Sequence, residues 1–175
     1  MMIASVVGAI LSLVATLVAS YVAANVPRTG TSTPPTSSAV PTAFPALPLT
    51  VLVPLGDSDP FHSVGPITMG STRYRDAVIL QVGNKAGGTS LRYDLGGRYT
   101  RLLATAGLGD EAPTDTVVTL SLAVDGKTVM ERRIGVGQTV PVSIAITGGA
   151  RLEITAKAPG ADCCVSVGLA DPVLT

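Results

Sequence analysis

The chain has 175 residues, with 12 basic and 12 acidic side chains and a formal net charge of zero. Such a balance excludes the basic footprint of a nucleic-acid-binding protein and a polybasic membrane-surface patch. One histidine and two cysteines leave little material for a metal centre or a catalytic constellation, so we do not expect an enzyme. Nineteen glycines, thirteen prolines and only 3% aromatic residues favour an all-β domain with many turns.

Residues 1–26 contain no charged side chain. As a helix they would span roughly 39 Å, more than the hydrocarbon core of a bilayer. We therefore predict one transmembrane helix, an uncleaved anchor. The alternative is a secretory signal peptide cleaved near Val22-Ala23-Ala24, but the segment has no Lys/Arg n-region and its apolar run is longer than an ordinary h-region.

Small residues recur at every fourth position of this segment. They are Ala4, Gly8, Ser12, Thr16, Ser20 and Ala24. Such a stripe lets helix backbones approach closely and suits self-association in the membrane, although an Ala/Ser/Val-rich helix also produces it by composition alone.

Residues 27–48 form a linker rich in Pro, Thr and Ser, which is typical of an extended stalk. Arg28 follows the predicted helix and by the positive-inside rule favours a cytoplasmic carboxyl terminus, whereas the stalk composition favours an outward domain. We place the domain outside the cell on a single-pass anchor. The alternative location is secretion after cleavage.

The composition of the chain is typical of a GC-rich bacterial genome. It has three lysines among many Ala, Val, Gly, Thr and Arg residues.

Residues 49–175 show the two-residue period of β-strands. Apolar and polar side chains alternate over residues 116–125, 140–147, 151–157 and 165–169, and we expect further strands at 50–55, 77–82, 90–94 and 99–106. Asp125-Gly126 and Gly148-Gly149 have the composition of hairpin turns. About eight short strands with regular turns predict a β-sandwich.

Several segments resemble the NPCBM family of carbohydrate-binding modules. They are residues 70–74 (GSTRY), 93–102 (YDLGGRYTRL), 106–111 (AGLGDE), 122–127 (LAVDGK), 149–154 (GARLEI) and 170–174 (ADPVL). The resemblance covers residues 60–175 and implies a galactose-binding-like jelly-roll sandwich that binds carbohydrate through loops at one end. Leu102 and Leu169 stand where the family often carries aromatic residues, so stacking on a sugar would fall to Phe61, Tyr74, Tyr93 or Tyr99.

Four residues are the candidates for ligand binding: Arg73, Tyr74, Asp110 and Glu111. We place Arg73 and Tyr74 in a loop before the strand at 77–82, where they could bind sugar hydroxyls; alternatively Tyr74 caps the core and the arginine is solvated. Carboxylates of presumed loops could hold a structural Ca²⁺, or be solvated turn residues. They are Asp57, Asp59, Asp110, Glu111 and Asp115. We expect no catalytic residue, no metal centre and no other cofactor.

Cys163 and Cys164 are adjacent, and their Cα atoms would be about 3.8 Å apart, closer than in an ordinary disulfide. We expect two free thiols; a strained, reducible disulfide acting as a redox switch and an intermolecular disulfide are the alternatives.

The function that we predict is a membrane-anchored, non-catalytic carbohydrate-binding module, with a polysaccharide or glycoconjugate as its partner. The alternative is a structural or protein-interaction domain on the same scaffold with no sugar ligand. A lone hydrolase is the weakest reading, since a short-looped sandwich offers little cleft for two opposed carboxylates.

Overall fold

The structure, a computed structural model, describes residues 45–83, 88–160 and 164–175. Within these ranges the chain forms ten β-strands and one short 3-10 helix, Leu49–Val51. The strands are β1 (Leu47–Pro48), β2 (His62–Met69), β3 (Thr72–Val82), β4 (Thr89–Asp94), β5 (Arg101–Leu108), β6 (Val117–Val124), β7 (Lys127–Gly135), β8 (Thr139–Ala145), β9 (Arg151–Lys157) and β10 (Val165–Leu174). The all-β prediction is confirmed. In the described ranges no helix is long and apolar enough to cross a membrane, and the helix predicted at residues 1–26 lies outside them.

The strands form two antiparallel sheets that share one core. The larger sheet has the order β2-β3-β10-β5-β8, with β1 paired to β10, and the smaller sheet has the order β4-β9-β6-β7. Apolar side chains of both sheets enclose the core, among them Leu80, Leu102, Leu120, Leu122 and Ile154. The chain is therefore a β-sandwich, as predicted. Because β1 pairs with the end of β10, the sandwich begins at Leu47, two residues before the predicted boundary.

The alternation predicted for β6 and β9 is present in the structure. Val118, Leu120 and Leu122 are fully buried, and so are Leu152 and Ile154. The residues between them point away from the core, so both strands present a second, polar face on the outside of the smaller sheet. This outer face becomes important for the candidate site.

Two predictions about local structure are wrong. Residues 50–55 form no strand. The 3-10 helix includes residues 50 and 51 and closes with a hydrogen bond from the backbone N–H of Leu52 to the carbonyl of Leu49, and residues 52–55 are irregular. Gly148-Gly149 is no hairpin turn, because β8 and β9, which it connects, belong to different sheets. Asp125-Gly126 does form the β6–β7 hairpin turn, with φ values of 50° and 79°.

The β2–β3 hairpin is longer than the sequence indicates. Gly65 and Pro66 interrupt the apolar pattern of β2, and a register shift in the pairing with β3 follows them. Met69 lies over Gly107 and Gly168 of the larger sheet, where a Cβ atom at either glycine would approach its sulfur to 3.1 and 2.8 Å. The two glycines therefore let the Met69 end of the hairpin pack closely against β5 and β10, which belong to the same sheet.

Tyr93 in the core predicts a stability loss at high pH. Its side chain is 1% exposed, and burial raises its pKa to about 12 from the ordinary 10. Because the fold favours the protonated phenol, its stabilising contribution is complete below pH 10 and is lost between pH 10 and 12, up to about 3 kcal/mol. We expect Tyr93→Phe to unfold with a shallower pH dependence over this range in urea titrations. Equal slopes for the two proteins would contradict the assignment.

Candidate functional site

A depression of about 730 Å³ lies on the outer face of the smaller sheet. We call it the sheet groove. Alternate residues of two strands form its floor: Thr119, Ser121 and Ala123 of β6, and Glu153, Thr155 and Lys157 of β9. Glu131 of β7 also lines it, and Gly126 and the segment 158–160 lie at its ends. This volume is within the range of about 300–1,000 Å³ that is usual for ligand pockets. It is larger than a second depression, of about 550 Å³, beside Arg73.

Strand register explains why polar side chains collect in the sheet groove. Ser121 on β6 is directly opposite Thr155 on β9 and Glu131 on β7, and Thr155 is in turn opposite Ser90 on β4. Residues opposite each other in antiparallel strands point to the same face, so three hydroxyls and one carboxylate form a row across the sheet. Thr119, two residues before Ser121 on the same face of β6, adds another hydroxyl to the floor.

The charges around the sheet groove nearly cancel. Arg92 donates hydrogen bonds of 2.9 and 3.1 Å to Glu153 and pairs with Asp57 at 2.9 Å, and the bond and charge of Glu153 raise the pKa of Arg92 above its usual value. Glu131 and Lys157 have no ion-pair partner among the residues that the structure describes. Among the described residues that line this groove, one charge of each sign is therefore unpaired.

No aromatic side chain of the described part of the chain lines the sheet groove. Of the four aromatic residues named for stacking, Tyr93 and Tyr99 are buried in the core, and Tyr74 is half-buried. Phe61 is 62% exposed but does not line the groove. A ligand in the groove would thus be held by hydrogen bonds to hydroxyl and carboxylate groups, not by stacking.

The prediction that Arg73 and Tyr74 lie in a loop is wrong. Both residues lie in β3. Arg73 and Arg75 are exposed and line the 550 Å³ depression together with Pro66. Tyr74 packs instead against the small apolar cluster that includes Met69 and Ala77. Arg73 therefore faces the depression, whereas the side chain of Tyr74 packs against the apolar cluster.

Asp110 ties the β2–β3 hairpin to the loop after β5. Its carboxylate accepts hydrogen bonds of 2.8 Å from the backbone N–H groups of Gly70 and Ser71, and its own N–H donates to the carbonyl of Thr68 at 2.9 Å. Gly70 and Ser71 both have positive φ, as the tight turn between the strands requires. The structure thus brings Asp110 to the hairpin that carries Arg73, but gives this carboxylate a structural task; Glu111 beside it is exposed.

The calcium expectation finds no support among the described residues, where no group of three or more His, Cys, Asp and Glu side chains could hold a metal ion. Asp57 is engaged by Arg92 and Asp110 by the hairpin turn. Cys164 is exposed and disulfide-bonded, so it is not the free thiol that we expected. Cys163 lies outside the described residues.

The family model of the NPCBM/NEW2 domain matches residues 56–171. The chain belongs to the NPCBM/NEW2 family. The resemblance found in the sequence is therefore confirmed. Modules of this family are non-catalytic binding domains, which also confirms at the level of the family that the sandwich is not an enzyme.

Solved carbohydrate-binding modules have the same fold as this NPCBM/NEW2 domain. The CBM51 of Clostridium perfringens GH95, in complex with methyl-galactose, is 16% identical with a TM-score of 0.59, over 75% of this chain and 100% of that one. The CBM51-2 and INT domains of Clostridium perfringens ZmpB, with GlcNAc, are 10% identical with a TM-score of 0.58, over 74% of this chain and 31% of that one. At these identities the likeness shows the fold alone. A comparison with curated proteins gives no match.

Replacing Asp110 tests its structural task in the NPCBM/NEW2 domain. Asp110→Ala removes two charged hydrogen bonds at the hairpin tip, so we expect the free energy of unfolding to fall by about 1–2 kcal/mol in urea titrations. Glu111→Ala is the matched control, since this exposed neighbour should change stability by no more than about 0.5 kcal/mol. Equal losses in both variants would contradict the role given to Asp110.

Proposed function

We propose that this NPCBM/NEW2 domain is a non-catalytic carbohydrate-binding domain that binds a glycan in the sheet groove. The observation that carries the proposal is the polar groove itself, with the hydroxyls of Thr119, Ser121 and Thr155 on its floor. Hydroxyl and carboxylate groups both pair with sugar hydroxyls, and a groove of this size removes much of a bound glycan from water. This site differs from the end loops that the family resemblance implies.

We further propose that residues 1–26 anchor the domain in the cell membrane, with residues 27–48 as a stalk and the domain outside the cell. The uncharged length of the first segment and the Pro/Thr/Ser composition of the second support this arrangement. Several domains on one membrane would bind a polysaccharide with avidity, so modest affinity for each groove would suffice. Secretion after cleavage is the alternative, and self-association through the small-residue stripe stays a prediction.

A polysaccharide panel tests the binding proposal. Residues 45–175 would be titrated with neutral plant and bacterial cell-wall glycans, with and without Ca²⁺, beside a sample whose fold is verified by circular dichroism. We expect saturable binding to at least one glycan that does not change with Ca²⁺. Silence across the panel from folded protein would contradict the proposal.

The second candidate is a protein-interaction domain. It is favoured by large apolar side chains that are exposed near the start of the sandwich, namely Val51, Val53, Phe61 and Val64. The two candidate functions depend on different surfaces. A charged substitution at Val53 would disrupt a protein contact, whereas it would leave glycan binding unchanged.

Protease protection of the full chain in intact cells tests the proposed orientation. We expect a protease added outside the cells to digest the domain.

A further inference from the structure

We infer that the sheet groove binds an internal stretch of a linear, uncharged polysaccharide that lies along β6, and not the end of a glycan chain. The inference rests on the proposed function and names the substrate class of that site. Three properties of the groove lead to it: the open space around the glycine at each end, its length and its balance of charge.

Glycine lines the sheet groove at each end. Gly126 belongs to the β6–β7 turn, and Gly160 follows β9. Because Thr119 near the start of β6 pairs with Lys157 at the end of β9, these glycines lie at opposite ends of β6. A Cβ atom added at either glycine would meet no atom of the described residues within 4 Å. A chain bound along the floor can therefore pass over either glycine without meeting an atom of the described residues there.

The floor is long enough for several sugar residues. Thr119 and Val124 are five positions apart in β6, which at the rise of a β-strand corresponds to about 17 Å. The hydroxyls of Thr119 and Ser121 are two positions apart on the strand, so contacts repeat along the floor. A longer oligosaccharide makes more of these contacts, and its affinity should rise until the groove is filled.

The charge of the sheet groove favours an uncharged glycan. Glu153 is neutralised by Arg92, and the unpaired Glu131 and Lys157 carry opposite signs. A uronate or a protonated amino group in every repeat would meet one attractive and one repulsive partner and would lose hydration without a consistent counter-charge. Hydroxyl groups can accept from Lys157 and donate to Glu131, so a neutral chain satisfies both.

Calorimetric titration of the full chain tests the inference. The chain would be held in a polyoxyethylene detergent, which carries no sugar, and titrated with cello-, xylo-, manno- and galacto-oligosaccharides from disaccharide to hexasaccharide. We expect the affinity for the binding series to rise at least about tenfold from disaccharide to hexasaccharide. Borohydride reduction of the reducing-end sugar should leave the affinity for the hexasaccharide unchanged. Chitosan and polygalacturonate oligomers, which are charged, should bind more weakly.

Matched glycine variants locate the open ends. Gly126→Leu and Gly160→Leu place a side chain in the path of the polymer, whereas Gly137→Leu and Gly148→Leu are controls outside the groove. All four glycines have φ between 72° and 86° and open space around an added Cβ, so the backbone strain is alike. We expect the first pair to weaken hexasaccharide binding at least about fivefold and disaccharide binding little, with the control pair near wild type.

The outcomes separate this inference from the function that it rests on. Affinity that is complete with a mono- or disaccharide, or that is lost on reduction of the terminal sugar, would overturn internal-chain recognition while leaving carbohydrate binding intact. Preference for the charged oligomers would overturn the neutral class. Absence of binding to every oligosaccharide and polysaccharide, with folded protein, would overturn both.

Discussion

Replacing Ser121 with arginine is expected to weaken glycan binding by at least about 100-fold, which corresponds to roughly 3 kcal/mol. Ser121 is at the centre of the sheet groove, directly opposite Glu131 on β7 and Thr155 on β9. An arginine here can pair with the unpartnered Glu131 carboxylate across the strands, so its side chain would lie over the floor where the glycan binds. The residue points away from the core, and the fold should tolerate the change.

Ser143→Arg is the matched control for this variant. Ser143 is an exposed residue on the outer face of β8, in the other sheet, and carries the same small hydroxyl. Isothermal titration with the glycan that the wild type binds should show loss of binding in Ser121→Arg only, with circular dichroism verifying that both variants are folded. Unchanged affinity in Ser121→Arg would exclude the sheet groove as the binding site.

The largest loss of stability is expected from Gly88→Ala, about 2–5 kcal/mol. Gly88 has a φ of 76°, and an added Cβ would overlap the backbone oxygen of Ala156 and lie 2.6 Å from Cγ of Lys157. Left-handed backbone costs a non-glycine residue about 1–2 kcal/mol, and overpacking adds about 1–3 kcal/mol. The oxygen cannot move away easily, because Ala156 is paired with Thr89 on one side and Leu120 on the other.

Gly148→Ala separates the two causes of this loss. Gly148 has a similar φ of 72°, but an added Cβ there would have no neighbour within 4 Å. It should therefore show only the backbone cost, about 1–2 kcal/mol in denaturant unfolding. Equal losses for the two variants would mean that the contact with Ala156 contributes nothing.

Local patterns of the sequence were sufficient to predict the strands that bury one face. Alternation in β6 and β9 assigned Leu120 and Ile154 to the core, and it also assigned Thr119 and Thr155 to the outer face. What the alternation could not indicate is that β9 lies beside β6, because strand neighbours far apart in the chain are chosen by the global packing of the core. The row through Ser121 and Thr155 is visible only once that pairing is known.

For the predicted ligand residues, the local sequence pattern indicates surroundings that the structure does not have. The sequence predicts a loop at Arg73 and Tyr74, because Gly65 and Pro66 interrupt the alternation of β2, the strand that pairs with these residues. It also makes Asp110 a candidate for ligand or calcium binding, since an exposed loop carboxylate looks the same in a sequence whether it faces a ligand or a backbone turn. The two hydrogen bonds from the hairpin tip show that this carboxylate has a structural role. The sequence does not reveal them, because they join residues about forty positions apart.

Chemical-shift mapping tests the central claim most directly. Nitrogen-15-labelled protein, residues 45–175, would be titrated with the oligosaccharide that binds most tightly in the panel. We predict that the amides of Thr119, Ser121 and Thr155 show the largest shifts, with smaller changes near Gly126 and Gly160. Shifts confined to the β2–β3 hairpin around Arg73 and Tyr74, with the sheet groove silent, would contradict the account.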